Sequence, residues 1–102
     1  MELLTGKSKE HFLEWLDKQD LAPYKVMFDE VPLIVQASYI IEWFDIVGCV
    51  ICIGNIYYDG YHFNWNINMT KPVNSENGYE TRAEATTEAI KSAVKIYNEK
   101  HI

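Results

Sequence analysis

Residues 49–70 hold the pattern that leaves the chain least freedom. From Tyr61 to Met69 the sequence alternates strictly, with Tyr61, Phe63, Trp65, Ile67 and Met69 set against His62, Asn64, Asn66 and Asn68. A period of two is what a strand buried on one side requires. Ahead of it run Cys49-Val50-Ile51-Cys52-Ile53 and Tyr57-Tyr58, and Asp59-Gly60 stands between, a pair suited to a type I′ hairpin turn. A two-residue turn there predicts a register with Tyr58 opposite Tyr61, Ile56 opposite Phe63 and Gly54 opposite Trp65. One face then combines Val50, Cys52, Gly54, Ile56 and Tyr58 with the aromatic row, and Gly54 makes room for the Trp65 indole. The other face carries His62, Asn64, Asn66 and Asn68 across from Tyr57, Asn55, Ile53 and Ile51.

Helical patterns flank this hairpin. Ser8 is a good N-cap for a helix over Lys9–Gln19, with Phe12, Leu13, Trp15 and Leu16 on its apolar side, and Ala22-Pro23 stops it. Residues 24–31 read as an irregular or one-turn connection. Pro32 suits the first position of a second helix. Its predicted stripe is Leu33, Ala37, Ile40, Ile41, Phe44 and Val47, and Gly48 is its left-handed stop. The β-branched pairs Ile34-Val35 and Ile40-Ile41 also suit a strand, but spacing and length favour helix. Lys71 to Gly78 is a polar loop, and Tyr79-Glu80 is a candidate short third strand. Thr81 and Glu84 form a capping box for a last helix reaching about Glu99. There Ala85, Ala89 and Ala93, beside Ile90, Val94 and Tyr97, make a small-residue stripe for close packing on a sheet. The expected fold is a two-layer α+β domain of order α-α-β-β-(short β)-α. Its helical part covers about 8–47, its hairpin about 49–70 and its last helix about 81–99.

A chain of 102 residues is one domain, and a hydrophobic content of 48% with 14% aromatics excludes disorder. The net charge of −6 argues against a general binder of nucleic acid or anionic membranes, which needs a basic footprint. There is no signal-peptide pattern and no apolar run long enough to span a membrane, so a cytoplasmic protein with reduced thiols is expected. The charge is local. Residues 10–45 hold eight acids against two bases, and the rest of the chain balances. Glu14, Asp17, Glu42 and Asp45 are therefore candidates for docking a basic partner, the alternative being a solubilising surface.

No constellation points to catalysis. Cys49 and Cys52 have CxxC spacing, but in a strand residues three apart point to opposite faces, so they read as buried structural thiols rather than a redox or zinc pair. His11, His62 and His101 are far apart in sequence and lack metal-ligand spacing. The aromatic cluster could stack bases only beside a cationic groove, and residues 50–70 contain no Lys or Arg. No nucleophile elbow or phosphate-cradling loop occurs. A non-enzymatic protein without cofactor or metal is expected, with a cryptic enzyme as the less favoured alternative. Asparagine is unfavourable in strands, so His62, Asn64, Asn66 and Asn68, with Ile51 and Ile53 beside them, form a candidate face for a partner or a homodimer.

Two resemblances add to this reading. Thr81-Arg82-Ala83-Glu84-Ala85-Thr86-Thr87-Glu88-Ala89-Ile90 resembles the last helix of double-stranded RNA-binding domains, which also end β-β-β-α. That family holds phosphates with consecutive lysines at this helix start, and here Arg82 is a lone base beside Glu84. The resemblance implies a shape and leaves weak nucleic-acid binding only as an alternative. The pattern Lys9-Glu10 to Trp15-Leu16, Phe28-Asp29-Glu30-Val31-Pro32, Glu42-Trp43-Phe44-Asp45-Ile46-Val47-Gly48 and Tyr79 to Ala85 resembles small proteins of bacterial prophages and conjugative elements. That group has no assigned activity, so the resemblance implies a mobile-element setting and no mechanism.

Overall fold

In the computed structural model the described residues form three α-helices and one three-stranded antiparallel sheet. The structure describes residues 3–19, 28–56, 62–75 and 78–101, apart from the side chains of 29, 56 and 62. The elements are α1 (Gly6–Lys18), a 3-10 turn at Phe28–Glu30, α2 (Leu33–Ile46), β1 (Val50–Ile56), β2 (His62–Asn68), β3 (Val73–Asn74) and α3 (Arg82–Lys100). The two-layer α+β order expected from the sequence is the order observed. The short turn at Phe28–Glu30 agrees with a one-turn connection, and residues 24–27 lie outside the described residues.

Helix α1 starts two residues before the expected cap. Thr5 is its N-cap, and Ser8 lies inside the first turn, fully buried. The Ser8 hydroxyl donates to the Thr5 carbonyl at 2.6 Å. Its amide, one of the donors a helix start leaves without an intrahelical partner, donates to Asn98 Oδ1 at 2.8 Å. Asn98 Nδ2 in turn donates to the Thr5 carbonyl at 2.9 Å. The cap of α1 is thus supplied by the last helix.

Helix α2 begins one residue later than expected, with Pro32 as N-cap. It ends as expected at Gly48, whose φ of 89° is the left-handed value that glycine adopts without strain. The Cys49 amide closes that end on the Phe44 carbonyl at 2.9 Å, the long-range bond of a Schellman motif. The buried stripe of α2 is Gln36, Ile40, Trp43 and Phe44. Leu33 and Val47, placed in the stripe by periodicity, are exposed at the two ends of the helix.

Helix α3 follows its sequence pattern closely. The Thr81 hydroxyl accepts from the Glu84 amide at 3.1 Å. Ala85, Ala89, Ala93 and Ile90 are fully buried, with Val94 and Tyr97 beside them. The alanines let the helix approach the sheet, where it packs on β2 and β1. Helix α2 packs on α3 and β1, and α1 closes the far side against α3 and α2. Between the layers lies one core of Phe12, Leu16, Phe28, Ile40, Trp43, Phe44, Ile51, Trp65, Ile67, Ile90 and Tyr97, among others.

The register differs from the turn-based expectation by one residue. Val50 pairs with Asn68, Cys52 with Asn66, Gly54 with Asn64 and Ile56 with His62. An odd number of residues separates Ile56 from His62, whereas the expected register puts an even number between paired residues. The Asp59-Gly60 turn itself lies outside the described residues. Because side chains alternate, a one-residue shift exchanges the faces of β1. Ile51 and Ile53 join Trp65 and Ile67 on the core side, and Val50, Cys52 and Gly54 face outward with the asparagines.

The expected third strand is also displaced. Val73–Asn74 pairs with Ile67 and Asn66. Tyr79 makes an isolated bridge to Phe63, exchanging bonds of 2.7 and 2.8 Å.

Candidate functional site

Helices α2 and α3 pack on the side of the sheet that holds Ile51, Trp65 and Ile67, with α1 against them, and among the described residues no helix packs on the other side. The exchange of β1 faces leaves that open side without an ionic side chain among the described residues. It carries Val50, Cys52 and Gly54 from β1, Asn64, Asn66 and Asn68 from β2, and Asn74 from β3. Asn66 is the centre, paired with Cys52 on one side and Asn74 on the other. Asn68 Nδ2 reaches Cys52 Sγ at 3.5 Å. The Asn64 carboxamide lies over Gly54, and a β-carbon there would stand 2.8 Å from Asn64 Oδ1. The glycine therefore accommodates an asparagine on the open face rather than the Trp65 indole in the core.

Asn66 Oδ1 is the one polar side-chain atom among the described residues that is buried without a hydrogen-bond partner. A buried acceptor left unpaired costs about 1–3 kcal/mol.

The sequence-predicted site residues separate on this geometry. Asn64, Asn66 and Asn68 share the open face as expected. His62 heads β2 in the same alternation, and its side chain lies outside the described residues. Ile51 and Ile53 do not belong to that face. Ile51 is 8% exposed and Ile53 is packed against the core, both on the opposite side. Cys52, expected to be buried, is exposed, while Cys49 is buried, and both are free thiols. The acidic candidates Glu14 and Asp17 are exposed on α1, and Glu42 and Asp45 on α2. On each helix they recur on the side opposite the buried residues.

A cluster that sequence spacing could not reveal lies at the C-terminal end of α3. His11 Nδ1 and the Tyr97 hydroxyl are 2.6 Å apart, and His101 stacks on the Tyr97 ring with centroids 4.0 Å apart. His101 Nδ1 sits 2.9 Å from the Tyr97 carbonyl, an acceptor, so that nitrogen carries the proton. Burial pushes the Tyr97 hydroxyl above its ordinary range, with Cys49 and Glu14 adding to the shift. Burial likewise pushes the Cys49 thiol up, partly opposed by the Lys100 ammonium. Both stay protonated at neutral pH, which makes them packing and hydrogen-bonding groups rather than nucleophiles. The cluster arises because α1 and α3 pack together.

A third surface is an apolar cleft of about 370 Å³ between the first turns of α2 and α3, lined by Leu33, Ile34, Ala37, Ala83, Thr86 and Thr87. Arg82 flanks it with its guanidinium 5.3 Å from the Phe63 ring centroid. Among the described residues no group of three or more His, Cys, Asp or Glu is placed to hold a metal ion, and no helix is long and apolar enough to cross a membrane. Compared with known protein families, curated proteins and solved structures, the chain matches none.

Proposed function

We propose that this protein is a non-enzymatic, cytoplasmic protein-interaction module that docks its partner on the open asparagine face of the sheet. The observation that carries the proposal is the face itself: Asn64, Asn66, Asn68 and Asn74 share a side of the sheet on which, among the described residues, no helix packs and no ionic side chain lies. Carboxamides offer donors and acceptors together. A row of them suits a partner segment presenting backbone amides or uncharged polar side chains, and it suits neither a polyanion nor an ionic surface. The exposed thiol and Val50 add the apolar contact that such an interface needs at its centre.

The acidic sides of α1 and α2 support a second reading, occupation of a basic partner. Salt separates the two. Capture through the asparagine face survives high salt, whereas capture through Glu14, Asp17, Glu42 and Asp45 is screened. The test is affinity capture and mass spectrometry at low and high salt with three proteins: wild type, Asn68→Lys/Asn74→Lys, and Glu42→Lys/Asp45→Lys. The expected result is a partner retained at high salt, lost by the asparagine variant and kept by the acidic-face variant. A partner lost at high salt and by the acidic-face variant alone refutes the proposal in favour of the second reading.

A further inference from the structure

The two edges of the sheet are treated differently. On the β2 side, Trp65 accepts from the Ser75 amide at 2.9 Å and donates to Ser75 Oγ at 3.2 Å, and Phe63 exchanges backbone bonds with Tyr79. The odd-numbered residues of β2 thus aim their backbone groups at β3, and the even-numbered ones bond β1. By the antiparallel pattern, Val50, Cys52, Gly54 and Ile56 return those bonds. Ile51, Ile53 and Asn55 must then turn their amides and carbonyls outward, and β1 has no second strand partner among the described residues.

An edge of this kind is usually guarded by a lysine, a proline, a bulge or brevity. The β3 side is guarded by brevity, with two residues in the strand. The β1 side has seven residues, Val-Ile-Cys-Ile-Gly-Asn-Ile, with none of those guards. The exposed apolar residues Ile46, Val47 and Val50 gather where the chain enters it.

We infer that β1 pairs antiparallel with β1 of a second copy across a two-fold axis at Ile53, making one continuous six-stranded sheet. The occupant follows from charge and symmetry. Two copies of net charge −6 repel wherever acids meet, and β1 carries no charged side chain. The outward groups are self-complementary: centring on Ile53 sets Ile51 against Asn55 of the second copy and forms about six backbone bonds. The proposal uses the edge of the strand and not its open face, so it stands or falls separately from the docking proposed above.

In that dimer the two Cys52 residues are diagonal neighbours, roughly 7–8 Å apart. That is wide for a disulfide and within reach of a short bismaleimide. The Asn55 amide bonds nothing within its own sheet, so Asn55→Pro blocks the edge while keeping the internal ladder. Asn55→Ala keeps the amide and serves as control.

Sedimentation equilibrium and bismaleimide crosslinking test the inference, with circular dichroism to confirm that each variant folds. The expected results are a wild-type mass of twice 11.9 kDa with a Cys52-dependent crosslink, a dimeric Asn55→Ala and a monomeric Asn55→Pro without the crosslink. A wild type that remains monomeric across the concentration series overturns the inference. So does a dimer unaffected by a folded Asn55→Pro.

Discussion

Ile51→Ala and Val50→Ala, made separately, read the hairpin register as an energy. Ile51 is 8% exposed and faces the core beside Ile67, whereas Val50 is 38% exposed and faces outward beside Asn68. Truncating isoleucine to alanine removes about three carbons, or roughly 2.4 kcal/mol of transfer energy at about 0.8 kcal/mol each. The cavity left under the sheet raises the loss to about 3–4 kcal/mol. Truncating a partly exposed valine on an open face costs below about 1 kcal/mol. For a domain of this size the first loss corresponds to a fall in Tm of about 12 °C or more. Urea unfolding followed by tryptophan fluorescence measures both, with a midpoint shift of about 1 M or more expected for Ile51→Ala. In the register of a two-residue turn, Val50 would be inside and Ile51 outside. A larger loss for Val50→Ala than for Ile51→Ala would therefore refute the assignment of the open face and everything built on it.

Three further outcomes follow from the contacts. Asn98→Ala removes the donor and acceptor that cap α1 and should cost about 1–3 kcal/mol, with faster hydrogen exchange at the Ser8 amide. Tyr97→Phe keeps the ring packing on Trp43 but loses the 2.6 Å contact to His11. It should cost about 1 kcal/mol, and a double-mutant cycle with His11→Ala should recover most of it as coupling. Cys49 and Tyr97 are acids whose folded pKa values lie above the ordinary 9.0 and 10.0. The folded state holds those protons more tightly, so their stabilisation is complete below pH 9.0 and is lost as pH rises through the folded values. The urea midpoint should fall through this alkaline range, and the fall should be smaller in Cys49→Ala.

Local signals carry across to the structure wherever they act within one element. The alanine stripe of α3 and the left-handed stop at Gly48 appear as read, and of the Thr81–Glu84 capping box the bond from the Glu84 amide to the Thr81 hydroxyl is present. The alternation of Phe63 to Asn68 likewise identified the inner and outer sides of β2. What it could not identify was the partner side of β1, because Val50 to Ile53 is apolar at every position and either face of it can be buried. Asp59-Gly60 points to a register that sets Val50 inside, whereas in the structure Ile51 pairs with Ile67 on the core side.

The sequence by itself therefore determined the element order, the outward asparagines and the placing of charge on the helical part. Only the tertiary structure decided that Ile51 and Ile53 lie inside while Cys52 and Gly54 lie outside. It also decided that a residue near the end of the chain caps the first helix, and that His11, Tyr97 and His101 meet. Each is a relation between elements, and its energy comes from packing and hydrogen bonds across long sequence separations that no local period encodes.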